Sequence, residues 1–195
     1  MKQRTLDLQS TGEYFHIYNR GVNRERIFFS DRDYEYFMDL VHSAFDPASL
    51  SIHAFSLMPN HFHFILRQLM KYAMSEFMRT ICQKYAMHIN YLQKRKGHLF
   101  EGPYKMKNFD EKRYLLYITR YVHLNPVQGN LVKELEDWPY TSWHHYLDGG
   151  ENGLVTTNEV LQFAGGIGAY TQYLKSQNPI ENEEIEEYVI DRELA

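Results

Sequence analysis

The chain of 195 residues reads as an α+β protein. The expected plan is a ferredoxin-like β-α-β-β-α-β antiparallel sheet with one added helix and a small helical C-terminal extension. Three observations predict it. Short runs rich in aromatic and β-branched residues fall at 14–19, 51–57, 61–66 and 104–109. Two stretches of helical periodicity alternate with those runs. A third periodic stretch follows the last run.

Taken in order, residues 1–12 are polar and read as a loose arm. Tyr14-Phe15-His16-Ile17-Tyr18-Asn19 is strand one, ending in a turn at Arg20-Gly21. Asp31 is placed as an N-cap, because Tyr34, Phe37, Met38, Val41 and Phe45 follow at helical spacing. Pro47 stops that helix. Residues 51–57 form strand two, Met58-Pro59-Asn60 a tight connection, and residues 61–66 strand three. Residues 70–95 form a long amphipathic helix through Phe77, Ile81, Tyr85, His88 and Leu92, closed by Gly97. Strand four runs over 104–109. A helix begins at Asp110 or Glu111 and is expected to end near Asn125-Pro126. Trp138 to Trp143 reads as a packed loop leading into a short helix, and Gly149-Gly150 as the start of a linker. One or two small helices follow over 158–175, then an acidic tail over 181–195. The expected division is 1–147 for the main domain and 148–195 for an acidic, mainly helical extension.

Composition narrows the class. No run of 18 apolar residues occurs, so no membrane span is expected. The polar N-terminus carries no secretory pattern, and the lone Cys82 excludes an internal disulfide, so a reducing cytoplasm is expected. Net charge is −4, but it is unevenly spread. Residues 148–195 hold 10 acidic and 2 basic side chains, whereas residues 67–120 hold 12 basic and 4 acidic. A basic centre is the footprint expected of a polyanion partner. The acidic extension is the right sign to compete with such a partner for the same groove.

Two motifs carry chemistry. In His61-Phe62-His63 the histidines are two residues apart on a strand, hence on one face and about 6–7 Å apart along it. Phe62 and Phe64 then face the helices. Two imidazoles on one face can share a first-row divalent cation. In Tyr121-Val122-His123-Leu124-Asn125 the tyrosine and asparagine are four apart, on one helical face. A phenol is a weak nucleophile near pH 7 unless a cation polarises the group it attacks. Tyr117 shares that face but has no asparagine four residues on. Of the other histidines, none is taken as a ligand: His53 could line the same sheet face, His123 points away from the Asn125 side of a regular helix, and His144-His145 lack partners at suitable spacing.

Together, Met58-Pro59-Asn60-His61-Phe62-His63, Tyr18-Asn19-Arg20-Gly21, Gly97-His98-Leu99-Phe100-Glu101-Gly102 and Tyr121-Val122-His123-Leu124-Asn125-Pro126-Val127 resemble the single-tyrosine HUH transposases. The resemblance covers about residues 13–147 and is closest to their REP-associated tyrosine transposase branch. It implies that His61 and His63 bind Mg²⁺ or Mn²⁺ with Asn125 as third ligand. It implies that Tyr121, on the added helix, attacks a phosphate in a single-stranded DNA hairpin, giving a 5′-phosphotyrosine and a free 3′-hydroxyl. Contacts to DNA are then expected from Asn19, Arg20, Asn23, Arg24, Arg26, Lys105, Lys107 and Arg120, in a protein acting as a monomer or homodimer. Pro103 and Gln128-Gly129-Asn130 depart from the family pattern and leave open the details of substrate contact.

Two other readings use the same residues. A non-catalytic, domesticated hairpin DNA- or RNA-binding protein would keep the sheet and the basic surface. A metal-dependent hydrolase would need an acidic base beside the histidines, and strands two and three supply none.

Overall fold

Alternation along the third strand sorts the molecule into two layers. The computed structural model describes residues 9–109, 112–148 and 153–176. Strands β1 (Tyr14–Arg20), β2 (Leu50–Met58), β3 (His61–Gln68) and β4 (Lys105–Phe109) form one sheet in the order β2-β3-β1-β4. Every neighbouring pair is antiparallel. With helix α1 (Asp31–Ala44) between β1 and β2, and α2 (Ala73–Leu92) between β3 and β4, this is the ferredoxin-like plan expected.

Phe62 and Phe64 of β3 point to α1 and α2. Phe37 of α1 lies 5.4 Å from Phe62 and Phe77 of α2 lies 6.4 Å from Phe64, between ring centroids. His61 and His63 point the other way. That second face is covered by α3 (Lys112–Gln128) and by three short helices, α4 (Trp143–Leu147), α5 (Asn158–Ala164) and α6 (Ile167–Lys175). Both faces of β3 are therefore buried, and Phe62, Phe64, Ile65 and Leu66 are all inaccessible.

Three local features differ from the sequence expectation. The cap of α1 is Ser30, not Asp31. Its N–H donates to the Asp33 carboxylate at 2.8 Å, as does the Phe29 N–H at 2.9 Å, so the acid three residues on closes the first turn. Helix α2 is shorter than 70–95. It starts after Tyr72 and stops at Leu92, because Tyr72 and Lys94 adopt left-handed backbone at φ 64° and 50°. Helix α3 runs through Pro126 rather than ending there. Proline removes one N–H, but the next turn still closes through Gly129 N–H to Asn125 O at 2.8 Å. Asn130, with φ 54°, ends it. The expected start at Asp110 or Glu111, the linker at Gly149-Gly150 and the tail over 181–195 lie outside the described residues.

The segment after α3 docks on the free edge of β2. Leu57 N–H donates to Tyr140 O at 2.9 Å, and Trp138 Nε1 donates to Leu57 O at 3.0 Å. Beyond it, Thr156 N–H donates to Ile52 O at 2.7 Å, and Val160 and Tyr170 enter the same core as the sheet. Among the described residues no helix is long and apolar enough to cross a membrane.

The turn after β1 is pinned to the turn before β3. Gly21 N–H donates to Asn60 O at 2.8 Å, and Asn60 Nδ2 donates to Arg24 O at 3.3 Å. A Cβ on Gly21 would lie 2.1 Å from the Glu25 carbonyl oxygen, a backbone atom that cannot step aside. Gly21→Ala is expected to lower unfolding stability by about 1–3 kcal/mol. The measurement is the urea midpoint of purified protein, and an unshifted midpoint would contradict the close approach.

Candidate functional site

The site is assembled by sheet register. His63 of β3 is opposite Tyr18 of β1 and Ser56 of β2, and His61 is opposite Arg20 and Met58. These side chains share one face. Tyr18 and His16 are in turn opposite Lys105 and Lys107 of the edge strand β4. The His61 and His63 rings lie 5.0 Å apart at 86°. Both are buried, at 2% and 0% exposure.

Helix α3 crosses above them. Asn125 Oδ1 comes to 3.1 Å from His61 Nε2. One turn earlier, the Tyr121 ring stands edge-on to His63 at 5.6 Å and to His16 at 6.0 Å. The four residues His61, His63, Asn125 and Tyr121 thus converge, as the strand and helix periods require. Tyr117 is not with them; its ring lies 6.0 Å from Tyr173 of α6. Tyr121 and Asn125 keep 7% and 8% exposure, so the α3 side of the site is its more open side.

Burial sets the protonation. His61 is pushed down to about 4 by burial, against which its hydrogen bond to Asn125 acts, with the Arg20 charge lowering it further. His63 is held well below the ordinary histidine range by burial and by its neighbours His61 and His16. Both rings are neutral near pH 7, which is the state a metal ligand needs.

A divalent cation fits this donor set. A neutral His61 has one N–H, yet its Nδ1 lies 2.6 Å from Asn60 Oδ1 and its Nε2 3.1 Å from Asn125 Oδ1. Asn60 is fixed because its Nδ2 donates to Arg24 O. With Nδ1–H given to Asn60, the Nε2 lone pair and the Asn125 oxygen face each other across one gap. His63 Nε2 is buried with no hydrogen-bond partner. Imidazole nitrogens and an amide oxygen are donor types that suit a first-row divalent cation or Mg²⁺. Among the described residues no group of three or more His, Cys, Asp or Glu is placed to hold a metal; a donor set here would have to include the amide oxygen of Asn125.

The other candidates divide. Arg20 stands beside His61 and binds Glu101 through Nε and Nη2 at 2.7 and 3.2 Å; this pairing and hydrogen bonding hold the Glu101 carboxyl below its usual range. Lys105 lies over the Tyr18 ring at 5.6 Å. Asn23, Arg24 and Arg26 are exposed on the turn after β1, where Asn23 and Arg24 take φ of 54° and 61°. Asn19 faces the opposite layer, buried, with Nδ2 donating to Gly102 O at 3.1 Å.

Arg120 points away from the site. Its guanidinium is buried and donates to Tyr173 O at 3.0 Å and Ser176 O at 2.6 Å at the end of α6. His123 also points away, bonded to Tyr170 and Ser142 at 2.9 and 2.8 Å. His144 bonds Trp138 O, and His145 rests on Phe55. His53 is buried against Tyr14.

Sequence reasoning missed one member. His16 Nε2 lies 2.9 Å from His63 Nδ1, and both residues are fully buried. The alternation His16, Tyr18, Arg20 on strand one was the available signal. Using it required knowing that β1 pairs with β3.

Such a sheet, with a helix laid across its histidine face, is the fold of a transposase. The solved structure of a REP-associated tyrosine transposase bound to a REP hairpin matches with a TM-score of 0.58 and 18% identity, over 74% of this chain and 82% of that one. A putative transposase from Deinococcus radiodurans matches at 14% identity over 58% of this chain and 91% of that one, with a TM-score of 0.41. No curated protein matches the sequence. The chain belongs to the family described as Transposase IS200 like, whose family model matches residues 9–125, more than half its length. The resemblance read from the motifs is borne out at that level.

The buried histidines generate a pH prediction. His53 and His61 are held at about 4 and His123 at about 3, in each case mainly by burial, and His63 lower than usual. Each folded value lies below the unfolded one, near 6.5, so the unfolded chain binds more protons in acid. Their neutral forms cost nothing above about pH 6.5. Below it stability falls, by about 1.4 kcal/mol per pH unit for each histidine that gains a proton on unfolding. Denaturant midpoints of metal-free protein are expected to drop steeply between about pH 6.5 and 4.5. A flat profile over that window would contradict buried neutral histidines.

Proposed function

We propose that this protein is a metal-dependent nuclease and strand transferase of the REP-associated branch, cutting single-stranded DNA at hairpins through a covalent 5′-phosphotyrosine. The observation that carries the reading is the convergence of His61, His63 and Asn125 on one gap, with Tyr121 on the same helix face as Asn125. A protein of the same fold is solved bound to a REP hairpin, which supports the substrate class.

In this reading His61, His63 and Asn125 would hold Mg²⁺ or Mn²⁺. The bound cation supplies positive charge that polarises the scissile phosphate. Tyr121 loses its phenolic proton, and its oxygen forms a bond to phosphorus. The bond from phosphorus to the 3′-oxygen breaks, and that oxygen takes up a proton. Rejoining is the reverse, with a 3′-hydroxyl attacking the phosphotyrosine. Phosphodiester is exchanged for phosphodiester, so no external energy source is needed. Lys105 and Lys107, on the edge strand of the same face, hold the backbone as it enters. The exposed Asn23, Arg24 and Arg26 extend that path beyond Arg20. We assign this chemistry to residues 1–147, with 148–195 as an extension, in a protein working on cytoplasmic DNA.

The direct test is a labelled hairpin oligonucleotide incubated with Mn²⁺ and resolved on a denaturing gel. Wild type and Tyr117→Phe are expected to give a covalent adduct. Tyr121→Phe is expected to lose it by about 10³-fold or more while still binding the hairpin. Cleavage surviving in Tyr121→Phe would sink the nucleophile assignment. Binding with no cleavage under any divalent metal would instead favour a non-catalytic binding protein.

The path over β4 makes a separate prediction. Lys105→Ala and Lys107→Ala are each expected to weaken hairpin binding. Each should also reduce the slope of log K against log salt by about 0.7–0.9. Unchanged slopes in both variants would move the backbone contacts elsewhere.

A further inference from the structure

Each proposed histidine ligand has two ring nitrogens, and only one can face a cation. For His61 the other nitrogen is settled by Asn60 Oδ1, an acceptor at 2.6 Å. For His63 the other nitrogen meets a third histidine. We propose that His16 is a positioning residue for the metal site: its Nε2 accepts the Nδ1–H of His63 and so aims the His63 Nε2 lone pair into the gap shared with His61 and Asn125. This inference rests on the metal reading above.

The geometry leaves two arrangements for the single proton between the rings. His16 Nε2 and His63 Nδ1 are 2.9 Å apart, with ring centroids at 5.1 Å and planes 22° apart. Both residues are fully buried. Were the proton on His16 Nε2, His63 would carry its own proton on Nε2. That atom is buried with no acceptor in reach, and an orphaned donor costs about 1–3 kcal/mol. With the proton on His63 Nδ1, Nε2 instead presents a lone pair, which a cation satisfies. The His16 acceptor is therefore what selects the ligand tautomer.

The choice of an imidazole has a consequence for chemistry. Ligand histidines commonly donate to a carboxylate, which adds negative charge beside the metal. Neither His16 nor Asn60 carries a negative charge. Among the described residues the ligands and their two orienting groups then add no negative charge, and the cation keeps its full pull on a phosphate. His16 also touches the Tyr121 ring at 6.0 Å, so a purely packing role must be separated from an orienting one.

Three measurements do so. The first is ¹⁵N-histidine NMR of metal-free wild type, expected to show His63 protonated on Nδ1; protonation on Nε2 overturns the proposal. The second is Mn²⁺ titration calorimetry. His16→Phe keeps a ring against Tyr121 but removes the acceptor, and is expected to weaken Mn²⁺ binding by about 10–100-fold. His16→Gln restores an acceptor and is expected to recover most of that loss. Equal loss in the two variants would indicate packing alone and overturn the proposal, as would no loss in a folded His16→Phe. The third is His63→Ala. If it binds Mn²⁺ as wild type does, the metal reading itself fails. If it abolishes binding while His16→Phe does not, only the role of His16 fails.

Discussion

Strand β3 has to serve two environments with opposite chemistry, and the two-residue period of a strand is what lets it. Phe62 and Phe64 fill the layer against α1 and α2, while His61 and His63 turn to the layer beneath α3. A slip of one residue in the β1–β3 register would put phenyl rings where the imidazoles are and imidazoles into the apolar layer. The burial of the two phenylalanines therefore protects the placement of the two histidines. Large apolar groups on one face hold the register that the polar face needs.

The polar face in turn obeys a charge constraint. It is as buried as the apolar one, and a buried charge without a partner is expensive. The face meets this by using groups that are neutral when empty. Burial keeps His61 and His63 unprotonated, and Asn60, Asn125 and His16 bring no negative charge at 2.6–3.1 Å. Neither ring therefore adds positive charge to this layer near pH 7. The positive side chains Arg20, Lys105 and Lys107 stay at the margin, where Arg20 is paired with Glu101 and Lys105 is exposed.

What the sequence disclosed follows from the range of the interactions involved. The succession of strands and helices along the chain, the shared face of His61 and His63, and the pairing of Tyr121 with Asn125 all follow from short-range periods of two and 3.6 residues. The role of His16 does not, because it depends on the pairing of strands 47 residues apart in sequence. Arg120 lies away from the site for the same reason, whereas Asn19 is turned away by the local two-residue period of the strand. An arginine in a basic stretch looks solvent-facing until α6 supplies carbonyls for it. Asn19 lies beside Arg20 in sequence but on the opposite face of the strand. Pro126 misled differently: it removes a donor from the backbone, yet the last turn still closes around it.

The helix that bears Tyr121 is constrained from both sides, and this bears on how the tyrosine can act. On one side, Asn125 bonds His61. On the other, Arg120 donates two charge-assisted bonds to backbone carbonyls of Tyr173 and Ser176, and His123 sits between Tyr170 and Ser142. Ser142 Oγ further engages the backbone of Phe55 in β2. Rotating α3 to aim Tyr121 elsewhere would leave a buried guanidinium and a buried imidazole without acceptors or donors, a penalty of several kcal/mol. The residues of 153–176 thus fix the azimuth of the helix relative to the sheet. Arg120 and His123, which bracket Tyr121 in sequence, face the segment that packs behind α3, and Tyr121 faces the histidines. Residues 153–176 thereby hold the Tyr121 face of α3 toward β3.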